Sequence, residues 1–297
     1  MHKTVKTCSR NEMDREQDDS EVTMEFVQMS EPESLTATDT VQGYKDGTMT
    51  DVDATVINEC HFAIFLNDTY YANMSKKQAF MEAMSGHCLI LTDIIPQYLQ
   101  EFSIGYSVCN GQVSPEKISS VNIVEADEEN YVSCVFVDEL TMQARRYKVE
   151  DHHLAYNTNT GRNIAVSPTK IIEEMKAFIS RPELIKTTGT TYAAEIFDGS
   201  SAIKTIEDIN EVNTLYKIIG YAMTYGIDLS GSVLFTTGRI FKESVHACEV
   251  AGCHMLVSKA PPTRQAIEYA MEKDITLISF DSEDSFKVYN GVERIMY

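Results

Sequence analysis

Strand-like and helix-like segments alternate regularly through the second half of the chain, from Ser167 to Tyr297. The strand-like segments are short apolar runs with the sequences TYAAEIF, SVLFTT, HMLVS and ITLISF. The segments between them are amphipathic and run for about a dozen residues, which is typical of helices packed on a sheet. Alternation of this kind predicts right-handed crossovers and a largely parallel or mixed sheet. We therefore predict an α/β fold for this half of the chain.

The predicted helices begin and end at residues that suit those positions. Ser167 and Pro168 open one helix, and Gly252 ends another, FKESVHACEVAG. A third helix is predicted over IEDINEVNTLYKIIGYAMTYG, with Glu207 and Asp208 in its first turn, where acidic side chains complement the helix dipole. PPTRQAIEYAMEKD is predicted as a fourth, with proline at its start. The apolar stripe of the first helix consists of Ile171, Ile172, Met175, Phe178 and Ile179.

The first half of the chain contains mainly strand patterns. We predict strands at VTMEFVQMS, ECHFAIFLND, KISSVNIVEAD, YVSCVFVDEL and MQARRYKVE. LTDIIPQYLQEFSIGYSV is predicted as a helix with Thr92 and Asp93 in its first turn, and a polar loop, DHHLAYNTNTGRN, closes this half. We expect an acidic, partly disordered extension over residues 1–52, a β-rich subdomain over 53–166 and an α/β core over 167–297.

Charge and composition restrict the functional classes that are open to the protein. The formal net charge of −20 at pH 7 argues against a broad basic surface for nucleic acid. No run of about 18 apolar residues occurs, so no membrane-spanning helix is expected. The N-terminus lacks the apolar core of a secretory signal, and we expect a cytoplasmic protein. The seven cysteines are scattered and include no C-x-x-C, so we expect reduced thiols and no structural metal.

Three turns rich in small and hydroxyl-bearing residues lie at the ends of predicted strands. They are Thr187–Thr191, Thr236–Arg239 and Ser258–Pro262. Glycine lets a ligand approach the backbone, hydroxyl groups donate hydrogen bonds, and amides at a helix start favour anions. Each turn alone is more typical of ordinary turn structure, and Arg239 alone is compatible with solvation or a pair with Glu243. Three such turns at one sheet edge indicate a pocket for an anion or a nucleotide-like ligand.

The predicted ligand-binding residues combine these turns with one helix face. Asn213 and Lys217 lie four residues apart, and either face the ligand or form the polar stripe of a helix buried elsewhere. The residues expected to converge on one concave site are Thr188, Gly189, Thr237, Gly238, Arg239 and Ser258. The full set of predicted cofactor-binding residues is Thr188, Gly189, Thr190, Thr191, Asn213, Lys217, Thr237, Gly238, Arg239, Ser258 and Lys259.

Short motifs in the second half follow one another in a specific order and spacing. They include T-G-T-T-Y-A-A from Thr188, E-D-I-x-x-x-N-x-x-x-K-x-I-G from Glu207, T-G-R from Thr237 and V-Y-x-x-x-E-R-I from Val288. This set resembles the FdhD family of formate dehydrogenase accessory proteins. FLND and PQYLQEFSIGYSV agree more loosely with the same family in the first half.

The resemblance implies a cytidine-deaminase-like α/β core with a mixed sheet and flanking helices, a smaller β-rich N-terminal portion and a homodimer. It also implies sulfurtransferase chemistry. In the family, sulfur from a cysteine desulfurase travels as a persulfide on a C-x-x-C loop to the guanine-nucleotide molybdenum or tungsten cofactor of formate dehydrogenase. Zinc deaminase chemistry is not expected, because the chain lacks H-x-E and P-C-x-x-C.

The chain departs from the family pattern at the residues that carry sulfur. Aligning the glycine of YNTNTGRN places Asn157 and Thr160 where the two cysteines belong, and neither side chain can hold a persulfide. The family's histidine after T-G-G-T is Tyr192 here, and its basic G-R-H within the E-D-I motif is replaced by Asn210, Glu211 and Val212. The residues therefore leave open whether the protein is an enzyme, and no catalytic residue is predicted.

The sequence alone leaves two functions open. The first is an FdhD-like accessory protein that binds a molybdenum or tungsten bis-guanine-dinucleotide cofactor, or a guanine nucleotide, without the persulfide relay. Its partners would be formate dehydrogenase and a cysteine desulfurase. The second is a catalytically silent paralogue that acts as a binding or scaffold protein. Sulfur transfer through Cys248, Cys253 or an N-terminal cysteine would require an exposed thiol, whereas placement in helices and strands favours burial.

Overall fold

The computed structural model describes residues 34–66, 88–127, 130–137 and 164–296. The strands predicted at VTMEFVQMS and MQARRYKVE, and the predicted loop DHHLAYNTNTGRN, lie outside the described residues. Within the described part, the strands form a two-stranded hairpin, a four-stranded sheet and a six-stranded sheet.

The elements of this part are numbered in chain order. The strands are β1 (Thr36–Lys45), β2 (Thr48–Ile57), β3 (Cys60–Leu66), β4 (Ile90–Ile94), β5 (Ile118–Asp127), β6 (Asn130–Val137), β7 (Tyr192–Phe197), β8 (Ala202–Asp208), β9 (Val233–Thr236), β10 (Met255–Ser258), β11 (Thr276–Ser282) and β12 (Ser285–Asn290). The helices are α1 (Leu99–Cys109), α2 (Pro168–Ser180), α3 (Leu184–Thr188), α4 (Glu211–Thr224), α5 (Lys242–Val250) and α6 (Arg264–Glu272). Within the described residues, no helix has the length and apolar character needed to cross a bilayer.

The six-stranded sheet has the order β12-β11-β10-β9-β7-β8. β9, β10 and β11 run parallel, whereas β12, β7 and β8 add antiparallel pairs. Side chains along each central strand alternate between two faces, so that Phe235 packs with α2 while its neighbour Leu234 packs with α4, α5 and α6. This mixed sheet with flanking helices confirms the predicted α/β class.

The four-stranded sheet, of order β4-β3-β6-β5, shares a core with the larger sheet. α1 lies between them, because Phe62 of β3, Phe102 of α1 and Leu215 of α4 belong to one buried cluster. The predicted boundary between residues 52 and 53 falls inside β2, which pairs along its whole length with β1. The division of the remaining chain into two subdomains stays a prediction.

The predicted start of the first helix is wrong. Thr92 and Asp93 lie in β4, and α1 begins only after Tyr98. The prediction treated the apolar residues on both sides of Pro96 as one helical pattern. Proline disfavours helical backbone in the residue before it, so the helix begins after Pro96.

The segment IEDINEVNTLYKIIGYAMTYG is likewise a strand end followed by a helix. Glu207 and Asp208 are the last residues of β8, and α4 starts at Glu211. The side chain of Asn210 accepts hydrogen bonds from the amides of Val212 and Asn213, as an N-cap residue does. The interpretation of Glu207 and Asp208 as first-turn helix residues is therefore wrong.

α1 and α4 make backbone contact at a pair of glycines. A Cβ atom built on Gly105 would lie 1.9 Å from the carbonyl oxygen of Tyr216, and one built on Gly220 would lie 1.8 Å from the carbonyl oxygen of Glu101. Neither position can accommodate a side chain unless the helices separate. The spacing of the two helices, and with it that of the two sheets, depends on these glycines.

Gly105→Ala is expected to lower the free energy of unfolding by roughly 1–3 kcal/mol or more, because the added methyl group must push α1 away from α4. Urea denaturation followed by circular dichroism measures the change. Glu173→Ala, at an exposed position of α2, is the control and should change stability by less than about 0.5 kcal/mol. A Gly105→Ala protein as stable as the control would contradict the close contact.

Candidate functional site

A cavity of about 680 Å³ lies at one edge of the six-stranded sheet. The turns after β9 and β10 and the segment before β7 form part of its wall, together with the end of α2 and with α3. The carboxyl ends of parallel strands and the start of an antiparallel neighbour meet at the same sheet edge, where ligands of α/β proteins bind. The lining residues are Ile179, Pro182, Ile185, Lys186, Gly189, Thr190, Thr191, Tyr192, Thr237, Lys259, Ala260 and Pro261.

The lining carries positive charge although the whole chain is strongly acidic. Lys186 and Lys259 line the cavity, and among the described residues no carboxylate does. Lys186 also pairs with the exposed Glu183 at 2.8 Å, whereas Lys259 is exposed at the cavity mouth. Isoleucine, proline, alanine and tyrosine residues line the less polar parts of the cavity, and threonine and glycine residues line the rest. The arrangement suits a ligand that has an anionic group and an apolar or aromatic part.

Five of the predicted binding residues line this cavity. Three of them have hydroxyl groups already used in the fold: Thr191 donates to Glu207 at 3.0 Å, Thr190 donates to the Thr188 hydroxyl at 3.0 Å, and the Thr237 hydroxyl oxygen accepts the amide of Ala193 at 2.9 Å. Of these three residues, Thr190 is exposed. The five residues are Gly189, Thr190, Thr191, Thr237 and Lys259.

Glu207 holds one wall of the cavity in place. Its carboxylate accepts the backbone amides of Glu183 at 2.9 Å, Leu184 at 3.0 Å and Ile185 at 2.8 Å, in addition to the hydroxyl of Thr191. These amides belong to the start of α3, where helix geometry leaves backbone donors without partners. Glu207 therefore fixes two lining residues, Ile185 and Thr191, from the neighbouring strand β8.

The Gly238-Arg239 turn does not line the cavity, contrary to the prediction. The amide of Arg239 donates to a carboxylate oxygen of Glu211 at 3.1 Å, and the amide of Gly238 donates to the hydroxyl oxygen of Thr236 at 3.1 Å. A Cβ atom on Gly238 would lie 2.5 Å from the Cβ atom of Glu211, so glycine is needed for the two segments to meet. The anion at this turn is a side chain of the protein itself, and the Arg239 side chain is exposed outside the cavity.

Thr188 and Ser258 also lie outside the cavity lining. The Thr188 hydroxyl donates to the carbonyl of Leu184 at 2.7 Å within α3. The buried Ser258 hydroxyl donates to the carbonyl of Gly238 at 2.6 Å and accepts the amide of Ala260 at 2.9 Å. Both hydroxyl groups stabilise the turns that shape the cavity.

Lys217 and Asn213 are buried in the interior, which corrects their assignment to the ligand site. The Lys217 ammonium group lies 2.7 Å from Asp208 and donates to the carbonyl of Ile95 at 2.9 Å. Burial lowers the pKa of Lys217, and the adjacent Asp208 carboxylate opposes that shift. Asn213 donates to the carbonyl of Asp93 at 3.3 Å. The apolar residues on both sides of Lys217 in the sequence indicated burial, and a buried ammonium group requires a carboxylate partner.

A second buried charged group lies beside the cavity. Arg181 donates from one guanidinium nitrogen to Glu174 at 2.6 Å and to Glu195 at 2.7 Å, and Thr205 donates to Glu195 at 2.6 Å. Burial raises the pKa of Glu195 to about 7, while Thr205 and Arg181 act in the opposite direction. Arg181 lies between the lining residues Ile179 and Pro182 in the chain, so its two ion pairs anchor this segment of the cavity wall.

The cysteines of the described residues are buried, except for Cys88, which is half-buried and whose pKa is raised by burial. Cys248 and Cys253 are 0% and 1% exposed, so a sulfur relay through either of them is not supported. Burial raises the pKa of Cys60 and Cys109 to about 12, which keeps both thiols protonated at neutral pH. Asn157 and Thr160, which stand in place of the family's cysteine pair, lie outside the described residues, as does Cys8.

Comparison with known proteins gives a consistent family assignment. The model of the FdhD/NarQ family matches residues 57–296. The sulfur carrier protein FdhD of Listeria monocytogenes is 25% identical over 270 residues, which cover 86% of this chain and 97% of the relative. The corresponding protein of Bacillus subtilis is 24% identical over 276 residues, covering 89% and 98%. That of Thermoplasma volcanium is 34% identical over 135 residues, covering 45% and 48%.

The fold is also similar to that of a solved structure. A Desulfotalea psychrophila protein whose crystal structure is named for a formate dehydrogenase accessory role superimposes with a TM-score of 0.67 at 18% identity. The match covers 89% of this chain and all of that protein. Because the family model spans most of the chain, this protein belongs to the FdhD/NarQ family.

Glu207→Gln is expected to lower the free energy of unfolding by roughly 2–3 kcal/mol, because an amide cannot accept hydrogen bonds at both of its terminal atoms and leaves partly buried donors unpaired. Glu211→Gln is the matched variant. It keeps one accepting oxygen for Arg239 and should cost less than about 1 kcal/mol. Chemical denaturation of the two variants in parallel measures the difference, and equal losses would contradict the role assigned to Glu207.

Proposed function

We propose that this protein is an FdhD-type accessory factor of formate dehydrogenase that binds a guanine-nucleotide-bearing molybdenum or tungsten cofactor in the cavity. The observation that carries the proposal is the pair of cavity lysines, Lys186 and Lys259, in a lining to which the described part of the chain contributes no carboxylate. A strongly acidic protein repels anionic ligands in general, so a local positive lining favours a phosphate-bearing ligand at this position.

The residues of the cavity suit such a ligand. Its volume of about 680 Å³ lies within the range of small-molecule sites, and lysine binds phosphate as a point charge. Thr190 and the backbone at Gly189 supply polar groups beside the lysines. Tyr192 and Pro261 supply flat surfaces on which a purine base could stack. When bound, the cofactor brings its own metal centre, and the chain's residues hold the nucleotide part and exclude water from it.

The proposal extends to partners and architecture. Relatives of this chain are named as sulfur carriers, and the solved structure is named as a formate dehydrogenase accessory protein. We infer that the partners are a formate dehydrogenase and a cysteine desulfurase, that the protein is a homodimer and that it acts in the cytoplasm. The likeness of the α/β core to cytidine deaminases is part of the same proposal.

Binding of GDP tests the proposed site. Lys259→Ala is expected to weaken GDP binding about tenfold, as the loss of one charged phosphate contact should. Lys117→Ala removes the same charge from an exposed 3₁₀ turn at the other sheet and should leave binding unchanged. Arg239→Ala should also have little effect, because Arg239 does not line the cavity. Isothermal titration calorimetry of the four proteins supplies the measurement, and equal affinities throughout would count against the cavity.

The second candidate function is a catalytically silent paralogue that acts as a binding or scaffold protein. It is favoured by the Glu211 carboxylate, which occupies the backbone amide of Arg239 at a turn that could otherwise bind phosphate. The same titration separates the two functions. Wild-type protein that shows no heat of binding at millimolar GDP would favour the scaffold.

The protein is not expected to accept sulfur by the family's persulfide route, because Asn157 and Thr160 replace the required thiols. The test is incubation with a cysteine desulfurase and free cysteine, followed by intact-mass measurement with and without a reductant. A mass unchanged by the incubation is the expected result. A reducible gain of one sulfur atom that a single Cys→Ser change abolishes would overturn the expectation.

A further inference from the structure

The hairpin of β1 and β2 has two chemically different faces. Its two-residue turn, Asp46-Gly47, has positive φ angles of 52° and 83°, as tight hairpin turns require. The register pairs residues one to one, so alternate pairs lie on opposite faces. One face, here called the valine face, consists of Ala37, Asp39, Val41, Gly43 and Lys45 of β1 with their partners Val56, Ala54, Val52, Thr50 and Thr48 of β2.

The opposite face is polar along most of its length. Thr40 donates to Asp53 at 3.2 Å, and Gln42 donates to Asp51. These cross-strand hydrogen bonds satisfy the polar side chains within the hairpin itself. The valine face has no such bonds among its middle residues, and Val41 and Val52 are each 42% exposed.

The hairpin is also unusual in being a sheet of two strands only. Two-stranded sheets are marginal in water unless a further surface covers them. The base of β2 contacts α3, but the middle and the tip of the hairpin are exposed on both faces in the described part of the chain. An exposed apolar face on a long two-stranded arm indicates an interaction surface.

The charges on the valine face determine which partner it suits. Asp39 and Lys45 are its only charged residues, and each lies three residues from Gln42. Consider two copies stacked face to face about a two-fold axis that runs perpendicular to the strands at the level of Gln42. Asp39 of each copy then lies opposite Lys45 of the other, which gives two pairs of opposite charges. In the same arrangement, the cross-strand pair Val41 and Val52 of each copy lies against the centre of the valine face of the other copy. Few other partners would match both the apolar centre and two opposite charges at equal distances.

We propose that the valine face pairs with the valine face of a second copy of this chain, antiparallel and about a two-fold axis at Gln42. The proposal rests on the homodimer proposed above and names its surface. In this arrangement the tip of each hairpin lies over the base of its partner's hairpin, next to α3. Because Ile185 and Lys186 of α3 line the cavity, the dimer contact and the ligand site would adjoin.

The size of the face sets the expected strength of the dimer. Two strands of ten residues present about 33 × 10 Å, so stacking two such faces buries roughly 700 Å² in total. Stable dimers bury more than about 1,200 Å². We therefore expect a reversible dimer whose dissociation constant lies in the micromolar range or above, on the order of 10–100 µM.

Charge exchange tests the arrangement. Sedimentation velocity of the full chain over about 2–200 µM should show wild-type protein moving from monomer to dimer. Asp39→Lys alone and Lys45→Asp alone should each weaken the dimer about tenfold, because each sets like charges opposite one another. The double variant Asp39→Lys/Lys45→Asp should restore the wild-type constant. Restoration by the second substitution assigns the loss to the opposed charges, and circular dichroism of each single variant checks that it is folded.

Matched controls lie on the opposite face of the same hairpin. Asp51→Lys makes the same change of charge, and Tyr44→Ala removes the most exposed aromatic side chain of the hairpin; neither should alter the dimer. If neither single charge change alters the dissociation constant, or if Tyr44→Ala dissociates the dimer, the valine face is not the dimer interface. A homodimer formed through another surface would still be possible. A monomer at every concentration would overturn both. Neither result bears on GDP titration, so the ligand proposal is tested separately.

Discussion

A buried ion pair between Asp208 and Lys217 joins the two halves of the protein. Both side chains are fully buried, and their charged atoms lie 2.7 Å apart. The pair also forms hydrogen bonds with both backbone polar groups of Ile95. The amide of Ile95 donates to Asp208 at 3.2 Å, and its carbonyl oxygen accepts from Lys217 at 2.9 Å. Removing one partner of such a pair leaves an uncompensated charge and costs about 3–5 kcal/mol. Because Ile95 lies between β4 and α1, the pair fixes the connection that sets α1 against α4 and the two sheets around one core.

Carboxylates of the chain occupy several of the backbone sites that could bind anions. Glu207 accepts the amides at the start of α3, and Glu211 accepts the amide of Arg239. These contacts use the same attraction of backbone N–H groups for negative charge that phosphate sites use. In the candidate cavity, Lys186 and Lys259 remain as the positively charged lining residues of the described chain. Glu207 thus shapes one wall of the candidate cavity, and Glu211 occupies the Gly238-Arg239 turn.

Strands that are buried in the centre of the sheet were predicted correctly from sequence, whereas a strand at its edge was not. Four strands could be predicted because they are largely apolar on both faces: β7, β9, β10 and β11. This pattern is typical of strands in the centre of a sheet that is covered on both sides. β8 lies at the sheet edge and its sequence, AIKTIED, mixes polar and apolar residues, so the helical pattern after it obscured it. The three hydroxyl-rich turns were predicted to meet at one sheet edge, and residues of all three line the cavity there. Lys186 and the role of Glu207 were missed, because a lysine in a short helix and a glutamate at a strand end have no distinctive local pattern.

The sequence by itself determined the α/β class, through the alternation of apolar runs with amphipathic segments, and it determined the family, through the order of its short motifs. It also determined that the Gly238-Arg239 turn would attract an anion. Only the tertiary structure decided that the anion is Glu211, 28 residues away, and that Lys217 faces Asp208 rather than a ligand. The physical reason is that polarity at a turn specifies what kind of group can bind there. Which group does bind depends on packing between segments that are distant in the chain.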